Sequence, residues 1–525
     1  MVSKSANTSD SNYEPSTSSS LDETDPLLGA GAEKGKSKAS PWHVLVPLFF
    51  ITFGMGALVA PMVQFYTDIF CNRYYQARAG TSSFDVLSWV VGDTPPSLPD
   101  IKDCAIPEVQ AIVSKIQAIL LFIDSGSTFL MASFYGSLSD RHGRRLVFRI
   151  FAIGGILTVL CYIAVAKFQE WIGVTLLLVA PLAHGLLAGD VITVAAVQSY
   201  ISDCTTPEQR TVAFGRMIAF ILAGAIVGPT VASIVILKTG SIVNVFYLVI
   251  VIYAGFYAHV TCFMPESLDE QAMKQARMKA AQGTRPSIWQ TFNIFSALSI
   301  IGKAKPRHIS KYAVPILAAI QFLMAVLGQP PIVLYAMLMF KWTAYENGLL
   351  ASLISLVRFI VIIVVLPQVV TMLQNHWQQQ TSSDSTTSED DTKIRHRILF
   401  DTTMVRVGLG IQMFGLLAIA IATTETAFIW ALVIECLSVI SQPSVRSLYT
   451  TLVEPSEVGA LCGAQAVLES SATMIALTAI NFIYSASVNT MPSLFLYVCA
   501  GVSGTGFLLS FLIHPVTHSP DTPLA

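Results

Sequence analysis

The stretch Gly136-Ser137-Leu138-Ser139-Asp140-Arg141-His142-Gly143-Arg144-Arg145 lies between two long apolar runs, residues 112–135 and 146–168. Each run is long enough to cross a bilayer, because roughly 20 apolar residues in a helix span the hydrocarbon core. The small residues favour a tight turn. Three arginines here and Arg149 just beyond favour the cytosolic side of a membrane, where Lys and Arg are retained. Taken alone, the stretch predicts a positively charged cytosolic turn between two spanning helices.

The order of residue types in this stretch is more specific than its charge. It resembles the pattern G-x-L-x-D-R-x-G-R-R between helices 2 and 3 of major facilitator superfamily transporters, and it fills each defining position. The resemblance implies an all-α membrane protein with twelve transmembrane helices in two pseudo-symmetric six-helix lobes. It also implies that this segment is a conformational latch between the lobes and does not bind substrate. The predicted latch residues are Gly136, Asp140, Arg141, Gly143, Arg144 and Arg145, with Asp203 as the ion-pair partner of Arg144.

Composition also indicates a membrane protein. Of the 525 residues, 53% are hydrophobic and 12% are charged, whereas soluble domains carry about 25% charged residues. A net charge of −2 argues against a nucleic-acid partner. The sequence contains no Gly-rich phosphate loop, no paired C-x-x-C and no H-E-x-x-H, so neither a metal nor another cofactor is expected, and an enzymatic activity is not expected either.

Twelve apolar spans are predicted, and most of the 31 Lys and Arg residues then fall on one side of the membrane, which predicts that both termini are cytosolic. The approximate limits of the spans are 44–66, 112–135, 146–168, 174–201, 212–237, 242–264, 312–340, 346–373, 400–422, 427–448, 459–486 and 492–513. The predicted domains are a disordered cytosolic tail (1–41), an N-terminal lobe (42–264), a cytosolic linker (265–310), a C-terminal lobe (311–514) and a C-terminal tail (515–525).

An internal repeat supports two related halves, since positions 248 residues apart match at the same helix-loop-helix place in each half. Parallel repeats of this kind are related by an axis along the membrane normal. The matched pairs are Val197 and Val445, Ser199 and Ser447, Pro207 and Pro455, and Gly215 and Gly463.

Span 5 carries Gly215, Gly224, Gly228 and Pro229 in the spacing G-x8-G-x3-G-P. Glycines four residues apart let a neighbouring helix approach closely, so plain helix packing is one interpretation. The spacing also resembles the antiporter motif of drug:proton exchangers, although Ala232 stands where that motif has its last Gly. The resemblance implies proton coupling and leaves the direction of transport open.

Ionisable residues inside the predicted spans are the candidates for proton coupling and for the substrate cavity. A charge near the bilayer centre costs at least about 2.5 kcal/mol, so it marks a cavity or a partner. The candidates are Asp124 in span 2, Asp190 in span 4, Arg358 in span 8, Glu435 in span 10 and Glu469 in span 11.

The family resemblance implies that helices 1, 4, 7 and 10 line a central cavity, with Asp190 and Glu435 facing each other from opposite lobes. Asp190 is the first choice for the proton carrier, Glu435 is the second, and Arg358 is a counter-charge. The alternative is a purely structural ion pair, for instance Arg358 with Glu469 or Asp124. His184, six residues before Asp190, is assigned a packing role.

Two features bear on location. Glu23, Leu27 and Leu28 resemble the acidic dileucine signal E-x-x-x-L-L, which sorting adaptors read for delivery to lysosomes or vacuoles. Cys71 and Cys104 share one long loop on the predicted outer side, where oxidising conditions allow a disulfide. A vacuolar or lysosome-type membrane and the plasma membrane both remain open.

The short motifs Cys71-Asn72-Arg73-Tyr74-Tyr75 and Pro107-Glu108-Val109-Gln110 resemble fungal facilitators related to tetracycline-type antiporters and proton-coupled folate transporters. The sequence therefore predicts a monomeric transporter that moves a small organic solute by alternating access, coupled to protons, in efflux or sequestration. Proton-coupled uptake of an organic anion or nutrient is one alternative. A non-transporting membrane sensor on the same fold is another.

Overall fold

The computed structural model describes residues 39–78, 104–172, 175–205, 207–282, 312–327, 330–369, 371–372, 389–452 and 458–513. Within these ranges the regular secondary structure is helical. The dileucine-like residues Glu23, Leu27 and Leu28 lie outside the described residues, as do most of the predicted linker and the predicted C-terminal tail.

The first half of the chain forms α1 to α7, and α8 follows within the segment predicted as a linker. Their bounds are α1 Trp42–Arg78, α2 Pro107–His142, α3 Arg144–Ile172, α4 Thr175–Leu186, α5 Asp190–Cys204, α6 Pro207–Thr239, α7 Val243–Cys262 and α8 Glu270–Gln282.

The second half forms α9 to α16. Their bounds are α9 Ala313–Val326, α10 Ile332–Phe340, α11 Ala344–Ile360, α12 Glu389–Ile421, α13 Glu425–Cys436, α14 Ser441–Leu452, α15 Val458–Ser487 and α16 Leu494–Ser510. The π-helical turn Val361–Val365 continues α11, and the 3-10 turn Leu437–Ile440 joins α13 to α14.

The helices have the length and surface of membrane spans. In the described part of the chain, nine helical segments are long and apolar enough to cross a bilayer, when α4 with α5, α11 with the helix that continues it, and α13 with α14 are each counted as one segment. Ala313–Val326 and Leu494–Ser510 are shorter apolar helices. Large apolar side chains such as Val251, Phe263 and Trp430 are exposed on the surface, which suits contact with lipid. The fold is that of an all-α membrane protein, and the count of twelve spans stays a prediction.

Three stretches predicted as single spans are each divided into two helices: span 4 into α4 and α5, span 7 into α9 and α10, and span 10 into α13 and α14. In span 7 the division falls at Pro330 and Pro331, which lack the N–H that a helix needs. In span 10, Pro443 follows the tightened 3-10 turn. Non-helical backbone at membrane depth is tolerated where it is buried in protein or lines a cavity.

The predicted turn between spans 2 and 3 is much shorter than the sequence suggested. Helix α2 continues through His142 and α3 begins at Arg144, so Gly143 alone separates them. Gly143 has a φ of 92°, a left-handed value that a residue with a Cβ rarely adopts. A Cβ at this position would also lie 2.6 Å from the carboxyl carbon of Glu266. The turn is therefore made by one glycine and a carboxylate from the segment that follows α7.

The two halves of the described chain meet where α2 packs on α15 and where α6 packs on α11. Across the first contact, Ser114 Oγ donates to the Asn481 carbonyl oxygen at 2.8 Å. Across the second, Ser233 Oγ donates to the Tyr345 carbonyl oxygen at 3.0 Å. The Ala344 N–H also donates to Gln64 Oε1 at 2.6 Å. These bonds lie toward the end of the molecule opposite Gly143.

A disulfide joins Cys71 near the end of α1 to Cys104 just before α2, with 5.5 Å between their Cα atoms. The next residue, Ala105, accepts a hydrogen bond at its carbonyl oxygen from the Lys341 ammonium of the other half. The segment that leads into α2 is thus held both to α1 and to the loop between α10 and α11.

The glycines of span 5 pack α6 against α1. A Cβ at Gly224 would lie 2.7 Å from the Phe49 carbonyl oxygen, and a Cβ at Gly228 would lie 2.9 Å from the Ala57 nitrogen. Gly215 differs, because a Cβ there would meet nothing within 4 Å in the described structure. Close helix approach accounts for two of the three glycines without any role in coupling.

We expect Gly228→Ala to lower the free energy of unfolding by about 1–3 kcal/mol, because the added methyl group meets the backbone of α1. Gly215→Ala is the matched control on the same helix and should leave stability unchanged or slightly higher. Thermal unfolding of the purified protein in detergent measures both. Equal melting temperatures for the two variants would contradict this packing.

Candidate functional site

The polar centre of the first half lies at the break between α4 and α5. Helix α4 ends at Leu186, and Ala188 takes a left-handed φ of 60° before α5 begins at Asp190. The freed carbonyl oxygens find donors: Tyr135 Oη donates to Leu186 O at 2.8 Å, and Thr193 Oγ1 donates to Ala188 O at 2.9 Å. Because hydrocarbon offers no hydrogen bonds, these donors stabilise the break inside the bundle.

Small residues bring this break against α2. A Cβ at Gly185 would lie 2.6 Å from the Asp124 carbonyl oxygen, and a Cβ at Gly189 would lie 2.6 Å from Thr128 Oγ1. Residues with larger side chains would hold the two helices apart. The close approach places Asp124 of α2 beside His184 of α4.

The His184 ring lies between two carboxylates. Its Nδ1 is 2.8 Å from Asp124 Oδ1, and its Nε2 is 3.4 Å from Asp190 Oδ1. The second contact is within ion-pair distance but is not aligned as a hydrogen bond, so Asp190 Oδ1 is buried without a hydrogen-bond donor in the described structure. The sequence predicts a packing role for His184, and the structure instead makes it the bridge between both acids.

The second half has its own charged pair at the equivalent break. Arg358 of α11 lies with its Nη2 3.4 Å from Glu435 Oε2, and Ser438 Oγ in the 3-10 turn lies 3.5 Å from Glu435 Oε1. The 248-residue repeat aligns Asp190 with Ser438, so the two breaks occupy corresponding places in the two halves. Interrupted helices at corresponding positions are the expected location of a transporter's binding site.

A third polar group lies on α9, α14 and α15. Gln321 Nε2 donates to Glu469 Oε2 at 3.5 Å, and Arg446 Nη2 lies 4.0 Å from Glu469 Oε1. Gln321 Oε1 is buried and has no hydrogen-bond partner in the described part of the chain. The Glu469 carboxylate is therefore ion-paired with the Arg446 guanidinium.

The predicted latch forms a compact charged cluster. Arg144 contacts Asp140 Oδ1 at 2.7 Å through Nη1 and Asp203 Oδ2 at 3.2 Å through Nε. The Glu266 carboxylate accepts the backbone N–H groups of Arg144 at 2.8 Å and Arg145 at 3.2 Å, at the start of α3. A carboxylate here satisfies free helix N–H groups and complements the positive end of the helix dipole.

Further contacts tie this cluster to α7 and α8. The Arg145 guanidinium donates to the Thr261 carbonyl oxygen at 3.0 Å, and Arg277 Nε of α8 donates to the Arg141 carbonyl oxygen at 2.7 Å. Gly136 lies in open space, with nothing within 4 Å of a Cβ built there from the described residues. The role of the cluster as a latch stays a prediction.

The structure groups the sequence-predicted charges by half. Asp124 and Asp190 meet through His184, and Arg358 pairs with Glu435 rather than with Glu469 or Asp124. Each carboxylate thus has a polar partner within its own half, and the expected facing of Asp190 and Glu435 across a cavity stays a prediction.

Sequence reasoning missed His184 and Glu266 as members of these clusters. For both residues the neighbouring sequence carried a recognisable signal. His184 adjoins Gly185 inside an apolar run, and a small residue beside a titratable one marks a place where another helix can reach it. Glu266 directly follows a Pro that ends span 6, where an acid has no favourable contact with its own helix C-terminus.

Charged groups beside interrupted helices, repeated in two related halves of a helical membrane protein, define a membrane transport protein. The chain belongs to the major facilitator superfamily, whose family model matches residues 104–382. It is a multi-pass membrane transport protein of that family.

Known proteins agree with this assignment. The chain is 23% identical over 399 residues to the MFS-type transporter avaJ of Aspergillus versicolor, across 73% of this chain and 74% of that protein. It is 28% identical over 123 residues to the proton-coupled folate transporter of Rattus norvegicus, across 23% of this chain and 27% of that protein. The crystal structure of the human organic anion transporter MFSD10 shares the fold, with a TM-score of 0.58, 15% identity, and coverage of 90% of this chain and 98% of that one.

We expect Glu266→Gln to lower the free energy of unfolding by about 1–3 kcal/mol, because hydrogen bonds to a charged acceptor at a helix start are weakened. Glu270→Gln is the control, since the exposed Glu270–Lys274 pair at 3.2 Å is worth at most about 1 kcal/mol. Thermal unfolding in detergent compares them. An unchanged melting temperature for Glu266→Gln would show that this carboxylate does not hold the start of α3.

Proposed function

We propose that this protein is a secondary transporter that moves a small organic solute by alternating access and couples the movement to protons at the Asp124–His184–Asp190 cluster. The observation that carries the proposal is the placement of His184 between two carboxylates at a helix break. Intramembrane acid and histidine clusters of this kind serve as proton relays.

The geometry supports a proton-binding step in particular. Asp190 Oδ1 is buried and lacks a donor within the described residues, and an unmet buried acceptor costs about 1–3 kcal/mol. A proton on Asp190 would lower this cost by neutralising the carboxylate that lacks a donor. Asp190 also lies in the first turn of α5, at the helix break itself. We therefore place the proton-binding step at this residue.

The direction of transport is the second part of the proposal. Efflux or vacuolar sequestration is the first candidate direction, and it rests on the spacing of the span-5 glycines and on the dileucine-like tail. Two of these glycines, Gly224 and Gly228, also have a packing explanation, because they let α6 approach α1 closely. Uptake of an organic anion or nutrient is the other direction. The sign of proton movement separates the two, since a symporter carries protons with the solute and an antiporter carries them against it.

The experiment uses the full chain in sealed vesicles with a trapped pH dye and inward gradients of organic anions, organic cations and drugs. We expect a solute-driven pH change in the wild type and its loss, by about tenfold or more, in Asp190→Asn. Internal acidification identifies symport and internal alkalinisation identifies antiport.

Asp269→Asn is the matched control, because Asp269 is exposed in the segment before α8. It should move protons like the wild type. Solute flux without any pH change, or an Asp190→Asn variant with undiminished proton movement, would refute coupling at this cluster. An absence of both flux and binding across the whole panel would favour a non-transporting sensor.

A further inference from the structure

The two charged centres present opposite charges to their surroundings. In the first half the bridging His184 is the buried member, with its side chain 14% exposed, while the carboxylates of Asp124 and Asp190 are 31% and 38% exposed. In the second half the acid is the buried member. The Glu435 side chain is 11% exposed and its partner Arg358 is 39% exposed. One centre offers carboxylates, and the other offers a guanidinium.

Arg358 points away from the lipid-facing side of α11. At about 100° per residue, the exposed apolar residues of α11 lie about 160° to 200° around the helix from it. They are Leu349, Leu356 and Ile360. A charge this deep in a span faces the bundle interior or a water-filled cavity, so the exposed part of Arg358 faces such a space.

The guanidinium also has donors to spare. Arginine carries five N–H donors in a planar fork that matches a carboxylate through two parallel bonds. In the described structure Arg358 has one 3.4 Å hydrogen bond to Glu435 and also interacts with the thiol of the adjacent Cys436. That bond is longer than the 2.7–2.9 Å typical of charge-assisted pairs, so the pair is loose and one-sided. Glu435 is in turn positioned by a contact with Ser438 Oγ and by the packing of Gly415 of α12 against its Cβ.

The backbone beside Arg358 also departs from a regular α-helix. The π-helical turn Val361–Val365 starts three residues after it, and π-turns inside α-helices occur frequently at functional sites. Its Glu435 partner lies at the end of α13, next to the 3-10 turn of span 10. Both members of the pair therefore sit where a span departs from regular helix.

We propose that Arg358 is the anchor for a carboxylate of the transported solute, and that Glu435 is the resident counter-ion which this carboxylate replaces. The proposal rests on the proposed transport function and gives its substrate class, a small organic anion.

Few other polar groups lie next to Glu435 in the described structure. Besides Arg358, the groups that face Glu435 are Ser438 Oγ and the thiol of the adjacent Cys436, whose sulfur lies 3.9 Å from the Ile354 carbonyl oxygen. The element packed on its other side contributes Gly415. Replacing Glu435 by its neutral isostere should therefore strengthen anion binding, because it removes the charge that the solute carboxylate must displace from Arg358.

The test measures thermal stabilisation of the purified full chain in detergent, which rises with ligand concentration over Kd. The probes are monocarboxylates, each paired with its neutral amide: benzoate with benzamide, nicotinate with nicotinamide, hexanoate with hexanamide. We expect carboxylates to stabilise the wild type more than their amides.

The variants give the decisive comparison. Glu435→Gln should bind carboxylates about tenfold or more tightly, because the competing charge beside Arg358 is gone. Arg358→Gln should lose the preference for carboxylate over amide, and Arg358→Lys should retain part of it. Glu425→Gln, the same change at an exposed position on the same helix, should behave like the wild type.

Equal stabilisation by carboxylates and amides in the wild type would overturn the proposal, and so would weaker carboxylate binding by Glu435→Gln. Because this assay needs no membrane and no proton gradient, its failure is distinct from failure of the transport function. A neutral or cationic solute that drives proton movement in vesicles, with no carboxylate preference here, would leave proton coupling intact and remove the anion site.

Discussion

The cost of an unpaired polar group in hydrocarbon is the constraint on which the rest of this structure depends. Each helix break that exposes backbone must be given donors from neighbouring helices, and each intramembrane charge must be given a partner or water. At the break in span 4, Tyr135 and Thr193 supply the donors to the freed carbonyl oxygens. The Tyr135 bond also joins α2 to the end of α4, and so it helps to determine where Asp124 meets His184. The hydrogen bond that satisfies the Leu186 carbonyl oxygen therefore also helps to position Asp124 beside His184.

Glycine positions decide which helices can meet closely enough for this to happen. Gly185 and Gly189 allow α2 to reach the break, and Gly224 and Gly228 allow α1 to reach α6. Gly143 has a separate task, because its left-handed backbone turns the chain from α2 into α3 within one residue. The sequence shows all five glycines equally plainly. Only the structure shows which of them allow close helix packing and which one makes a turn, since the sequence reveals neither the neighbouring helix nor the backbone angle.

The family, the helical fold and the charged residues of the spans were predictable from the sequence, because a charge inside a long apolar run is visible without any knowledge of packing. Their pairing was not. Arg358 and Glu435 are 77 residues apart, and the His184 bridge to Asp124 spans 60 residues. Such contacts depend on helix rotation and on the depth of each residue, which a period of about 3.6 residues per turn does not fix between helices. The broken spans were missed for a related reason: a run of apolar residues reads as continuous even where Ala188 is left-handed.

The described contacts between the two halves include bonds that are individually weak. They include neutral hydrogen bonds from hydroxyl groups to backbone carbonyl oxygens, such as Ser114 to Asn481 and Ser233 to Tyr345. In membranes such bonds are worth about 0.6 kcal/mol on average. A set of them can be exchanged for other contacts at a cost of a few kcal/mol, which is within the range of a ligand's difference in affinity for two conformations. A ligand changes the balance between two conformations only by its difference in affinity for them, so weak contacts between the halves are what make a modest difference sufficient.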